Sequence, residues 1–148
     1  KKARQVPVIA SGDLFSGQVA KKMFDETGCD GVLVARGAFG NPWIFREITH
    51  FLKHGYMRAR PDADTIVTTM LEHYKGCIDF YTSRVSVSIF RKFFGWYTKG
   101  FRGVRPLREE SNRARTADTM IQIIEKCRGL SVLPVRQSHI HDTACAQE

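Results

Sequence analysis

The chain has 148 residues, 43% of them hydrophobic and 11% aromatic, and its 23 Lys and Arg against 15 Asp and Glu give a formal charge of +8. This composition excludes an intrinsically disordered chain, and the length allows one compact domain or two small lobes. The charge points to a polyanionic partner, while the absence of a bilayer-length apolar run or a signal peptide makes a cytoplasmic, non-membrane protein the expectation.

Taken in order, residues 6–10 (Val-Pro-Val-Ile-Ala) read as a buried strand that Ser11-Gly12-Asp13 breaks. Ser16 can cap a helix running to about Thr27. That helix puts Val19, Ala20, Met23 and Phe24 on one side and Lys21, Lys22 and Asp25 on the other, and Gly28 ends it. A second apolar strand is expected at 32–35, followed by Arg36-Gly37-Ala38-Phe39-Gly40-Asn41-Pro42-Trp43. Asn41 can cap a helix there and Pro42 can take its first position. Strand, glycine loop and helix in this order aim free N–H groups and a helix dipole at one point, which suits a phosphate. Arg36 could bind that phosphate in bidentate fashion. The same residues also fit an ordinary strand-to-helix turn with a surface arginine.

The next helix carries Ile44, Phe45, Ile48, Phe51 and Leu52 at helical spacing and stops at Gly55. Strand, helix, strand, helix with short connections form a right-handed βαβ unit. Both strands are apolar on both faces and need neighbours. With no initiator Met and a strand almost at the start, the expectation is a piece of a longer chain whose remaining strands lie upstream.

A polar, proline-bearing connection at 56–64 marks a boundary. We divide the chain into residues 1–57, the end of an α/β unit, residues 58–130, a helical domain, and residues 131–148, an aperiodic, flexible tail. In the helical part, 63–81 shows Ile66, Met70, Tyr74 and Ile78 on a stripe with Val67 and Leu71 beside it. Residues 85–99 carry Phe90, Phe93, Phe94 and Tyr97 and stop at Gly100. A short helix follows Pro106, and 117–126, capped by Thr116, turns Met120, Ile121 and Ile124 inward. About four helices of these lengths suit a bundle. The fold class is therefore α/β plus all-α.

Parallel strands present their C-terminal ends on one side, so Ser11-Gly12-Asp13 and Ala35-Arg36-Gly37 face one crevice. In (β/α)8 barrels, phosphate sites often form from the loops after the seventh and eighth strands. A second feature is a one-signed run: Arg84, Arg91, Lys92, Lys99, Arg102, Arg105 and Arg108, with no Asp or Glu between Arg84 and Arg108. The interleaved aromatics read as bundle core, and the charges as contacts to RNA phosphates. Arg91, Lys92, Lys99 and Arg102 are the leading candidates. Cys29, Cys77, Cys127 and Cys145 contain no CxxC pair and read as reduced, mostly buried thiols. His139 and His141 lie near Cys145 without a fourth ligand, so no metal site is expected. No paired carboxylates suit acid–base chemistry.

Three blocks carry a resemblance. Residues 6–16 (VPVIASGDLFS), 27–32 (TGCDGV) and 35–45 (ARGAFGNPWIF) resemble the end of a bacterial tRNA-dihydrouridine synthase barrel, most nearly of the B-type branch. Residues 91–100 (RKFFGWYTKG) are similar to that family's arginine-lysine-x-x-x-tryptophan-tyrosine-x-x-glycine signature. The resemblance covers roughly residues 5–127. It implies the last two βα units of a TIM (β/α)8 barrel followed by a helical tRNA-binding domain. The implied enzyme depends on FMN and reduces uridine in tRNA at the expense of NADPH. The family's FMN contacts carry over to Ser11, Gly12, Asp13, Ala35 and Arg36, with Ser11 in place of the common Asn and Ala35 in place of the common Gly. Its proton-donating cysteine, in a Gly-Cys-Pro loop, has no counterpart here, and neither has its flavin-contacting lysine. Both are expected upstream, so no residue of this chain is assigned as catalytic, and alone the chain should be inactive. A stand-alone RNA-binding helical module is the alternative; an FMN barrel enzyme acting on a small molecule would have no use for the basic, aromatic lobe.

Overall fold

A computed structural model of the chain describes residues 6–133. It begins with β1 (Ile9–Ser11), α1 (Gly17–Thr27), β2 (Gly31–Leu33), one turn of 3-10 helix (Arg36–Ala38) and α2 (Ile44–His54). The two strands are parallel, with Ala10 opposite Val32. The Ser16 hydroxyl accepts from the Val19 N–H to start α1, and Gly28, at a φ of 60°, ends it by donating to the Phe24 carbonyl. Leu14, Ala20, Ile44 and Ile48 form a small core, with Val19, Met23, Val32, Val34 and Ala38 packed on it.

Three details depart from the sequence reading. β1 starts three residues later than expected: Val8 donates to the Asp30 carboxylate at 2.9 Å and accepts from the Asp30 N–H at 2.8 Å, so a side chain takes part in pairing there. The strands are not covered on both faces either. Ile9 is 61% and Leu33 56% exposed, because that burial needs neighbours the described residues do not supply. Finally, α2 begins at Ile44 with no side-chain cap, and the Asn41 amide donates instead to Glu47 in the first turn at 3.2 Å. The inward stripe of α2 is Ile44 and Ile48, which leaves Phe45 and Leu52 exposed on its flank.

The rest is helical: α3 (Ala63–Phe80), α4 (Ser83–Tyr97), α5 (Arg105–Arg113) and α6 (Ala117–Glu125). They pack about one core in which Ile66, Met70, Tyr74, Phe90, Phe94, Met120 and Ile124 are fully buried. Each such side chain stabilises the fold by about 1.5–3 kcal/mol in transfer terms. Asp62 caps α3 through the Thr65 N–H, and Thr116 caps α6 through the Thr119 N–H. Ile123 takes the inward place expected of Ile121, since 120, 123, 124 and 127 share one stripe. The first residues of the expected tail pair with the turn after α4. Ser131 accepts from the Arg102 N–H, Leu133 donates to Gly100, and Val132 pairs with Phe101 in an antiparallel bridge. Residues 134–148, with His139, His141 and Cys145, lie outside the described residues. Among the described residues no helix is long and apolar enough to cross a membrane.

His73 lies inside this lobe, its Nδ1 at 3.3 Å from the Tyr97 hydroxyl and its ring edge-on to Phe90 and Phe93. Burial lowers its pKa, so the fold accepts the neutral imidazole. His50 is shifted the same way by desolvation, His54 and Arg58. For a lowered histidine, stability is full above the unfolded value near 6.5 and is lost as pH falls through the folded one. The denaturation midpoint should therefore drop between about pH 7.5 and 5, and His73→Gln should flatten that dependence. Equal pH slopes for the two proteins would contradict this. Cys77, Cys127 and Cys29 are free and buried. Burial pushes the Cys127 thiol up to about 11, which leaves it inert as a nucleophile.

Candidate cofactor corner and nucleic-acid face

Ser11 ends β1 beside Leu33, the last residue of β2, so the chain leaves both strands at one edge. Gly12 and Asp13 follow the first strand, and Ala35 and Arg36 follow the second. Here the structure brings two sequence-derived residues together, since the Arg36 guanidinium donates to the Asp13 carboxylate. Gly37 seats the second loop against the first, because a Cβ there would overlap the Leu14 carbonyl. Ser11, Gly12, Asp13, Ala35 and Arg36 are all solvent-exposed. The N–H groups of Gly12, Asp13, Arg36 and Gly37 donate to no backbone carbonyl outside regular structure among the described residues.

The geometry revises the phosphate-cradle reading in one respect. The dipole of α2 is not aimed from Arg36, because α2 begins only at Ile44, beyond an intervening 3-10 turn. What remains is an exposed guanidinium in loops that also present backbone N–H groups, a donor set that suits a phosphate monoester. The Asp13 carboxylate offsets part of the arginine's charge.

The second loop also meets the helical lobe. Phe39 stacks on Trp96 of α4 at 4.5 Å between ring centroids. Gly40 adopts a φ of +70° with its Cα against the Trp96–Tyr97 backbone, where a side chain has no room. From the linker, Arg60 donates to the Tyr97 carbonyl at 3.2 Å, half-buried, so burial lowers its pKa and the Glu47 charge opposes that shift. Sequence reasoning missed this junction, since no local pattern announces that residue 40 packs on residue 96.

The basic run divides by role. Arg108 is structural, donating to the Thr98 hydroxyl at 3.0 Å and to the Gly95 carbonyl. Arg105 pairs with Glu109. Arg91 is half-buried and donates to the Ala114 carbonyl at 2.7 Å. Lys92, Lys99 and Arg102 are exposed and make no ion pair among the described residues. Lys92 lines a shallow pocket of about 310 Å³ with Ser88, Ile89, Phe93 and Trp96. Lys92 thus sits one helical turn from Trp96, which stacks on Phe39, three residues past Arg36. The crevice and the basic face adjoin.

Residues 1–130 match the family model described as dihydrouridine synthase (Dus). The chain belongs to the dihydrouridine synthase family. Within it, the similar proteins include the tRNA-dihydrouridine synthase B of Xanthomonas axonopodis pv. citri, 39% identical over 123 residues, covering 83% of this chain and 37% of the relative. The tRNA-dihydrouridine synthase B of Pseudomonas aeruginosa is 38% identical over 118 residues, or 80% and 36% of the two chains. A probable tRNA-dihydrouridine synthase of Rickettsia bellii is 40% identical over 100 residues, 68% and 31%. The chain therefore spans about a third of the length of the curated relatives it matches.

Proposed function

We propose that this chain supplies the cofactor-phosphate corner and the RNA-binding lobe of a flavin-dependent tRNA-dihydrouridine synthase. Residues 1–57 would be the last two βα units of a TIM (β/α)8 barrel, and 58–130 a helical-bundle domain that holds tRNA in the cytoplasm. The observation that carries the reading is the meeting of Asp13 and Arg36, from loops after neighbouring parallel strands, with Phe39 three residues on stacked on Trp96, which lines one pocket with Lys92.

The FMN phosphate would lie on the amides of Gly12, Asp13, Arg36 and Gly37, with the Arg36 guanidinium on its oxygens and Ser11 and Ala35 flanking it. Bound FMN would supply hydride chemistry, with NADPH as the reductant, and a proton from elsewhere in the full enzyme would complete saturation of the uracil 5,6 double bond. This chain's residues bind and orient. Arg36 neutralises phosphate charge, and Asp13 holds Arg36 in place. Lys92, Lys99 and Arg102, exposed on the helical lobe, contact RNA phosphates, while Arg91 acts from its half-buried position. Cys29, Cys77 and Cys127 are buried and are not the proton donor, which belongs to another part of the full enzyme.

The test is the salt dependence of tRNA binding by the 148-residue chain. Binding should weaken linearly in log–log form with a slope of about −0.7 to −0.9 per phosphate contacted. Lys92→Glu combined with Lys99→Glu should lower that slope by about 1–2 and weaken binding roughly tenfold or more at low salt. Salt-independent binding, or no binding, would count against the RNA-binding lobe.

A further inference from the structure

A second basic site lies at the far end of α4. A groove of about 1080 Å³ opens between the first turns of α4 and the α5–α6 connection. Arg84 and Arg91 project from one wall and Arg113 and Arg115 from the other, and no Asp or Glu lines it. Among the described residues Arg84, Arg113 and Arg115 make no ion pair, and the Arg91 Nε is buried without a partner. Four guanidinium groups around one space repel one another unless an anion fills it. The start of α4 adds to this field. Thr82 makes no side-chain cap bond there, so the first-turn amides of α4 keep no side-chain acceptor at the groove's edge. The C-terminus of α5 also ends here, but its Ala114 carbonyl is taken by Arg91.

Two and three residues before Ser83, which lines the groove, stand two uncovered aromatics. Phe80 is 80% and Tyr81 42% exposed, and their rings meet edge-on at 4.8 Å between centroids. Neither contributes to the helical core. Exposed rings beside a cluster of arginines are the usual means of holding an unpaired nucleotide, the base stacked and the phosphate ion-paired.

We propose that this groove binds an unpaired nucleotide of the RNA the chain engages, its phosphate among Arg84, Arg91, Arg113 and Arg115 and its base on the Phe80–Tyr81 pair. The inference rests on the RNA-binding reading above and extends it to a second point of contact. Arg84 and Trp96 are separated along α4 by roughly 18 Å at the helical rise. The nucleotide held here is therefore not the one beside the cofactor corner. It acts as a remote anchor that sets which part of the RNA lies near Trp96.

The experiment measures binding of three probes to the 148-residue chain: an unmodified tRNA transcript, a single-stranded hexauridylate and an RNA duplex of similar length. Arg84→Glu with Arg115→Glu should weaken hexauridylate binding tenfold or more at low salt. Lys21→Glu with Lys22→Glu, an equal charge change on α1, should leave it within about twofold. Phe80→Ser with Tyr81→Ser should weaken hexauridylate binding about fivefold or more and leave the duplex within twofold. All six substituted positions are exposed, and melting curves for each variant confirm that it folds. The proposal is overturned if the arginine pair is no weaker than the lysine pair, or if the aromatic pair affects hexauridylate and duplex alike. It is overturned too if tRNA binds and hexauridylate does not, in which case the RNA-binding lobe itself survives. Loss of all three by the unaltered chain removes both readings.

Discussion

Gly40→Ala is expected to destabilise the chain by about 2–5 kcal/mol, from roughly 1–2 for a left-handed backbone on a residue with a Cβ plus the overpacking of that atom. In melting temperature this is a fall of roughly 8–20 °C for a chain of this size. The cause is specific: Gly40 sits at a φ of +70° with the Trp96–Tyr97 backbone directly against it, and backbone cannot rotate aside as a side chain can. The loop and α4 would have to separate, and the Phe39–Trp96 stack would open with them. Gly76 provides the contrast. It lies inside α3 with nothing within 4 Å of a Cβ, so Gly76→Ala should raise stability by about 0.5–1 kcal/mol. Similar melting temperatures for the two variants would contradict the packing described at Gly40.

The second large effect concerns Arg36. In the full-length enzyme, Arg36→Ala should weaken FMN binding by about 10- to 100-fold, the worth of a charge-assisted phosphate contact of roughly 1.5–3 kcal/mol. Asp13→Asn distinguishes this from a merely structural ion pair. An exposed pair of this kind contributes only about 0–1 kcal/mol to stability, and both residues are mostly exposed. If Arg36 serves the phosphate, Asp13→Asn leaves FMN affinity within a few-fold, because the guanidinium keeps its charge. If the pair only fastens two loops, the two substitutions act alike and FMN binding by Arg36→Ala matches that of the unaltered enzyme.

Much of the helical architecture was legible because it is written locally. Ser16 and Thr116 each accept the expected N-terminal amide, Gly28 and Gly55 end α1 and α2 with positive φ, and the stripe Ile66–Met70–Tyr74 is buried as its spacing requires. That the loops carrying Asp13 and Arg36 share one edge was legible too, since parallel strands must place their following loops there; that the two side chains pair was not. What failed depended on partners distant in sequence. The Asp30 side chain bonds Val8 and delays β1. Arg91 reads as a surface charge in its own helix, yet the Ala114 carbonyl draws it inward. Arg113 and Arg115 fall outside the uninterrupted basic run, and only the turn between α5 and α6 brings them to Arg84. Periodicity reports which face of a helix is apolar. It does not report what that face or its charged flank will meet.

The product formed by the full-length enzyme that contains this chain is the most direct test of the proposed reaction. Incubated with FMN, NADPH and an unmodified tRNA transcript, that enzyme should convert uridine to 5,6-dihydrouridine, detected by mass spectrometry of the digested RNA as a gain of two hydrogens. The conversion should stop when FMN is withheld from flavin-free enzyme. An enzyme that binds FMN and tRNA yet leaves every uridine unreduced would contradict it.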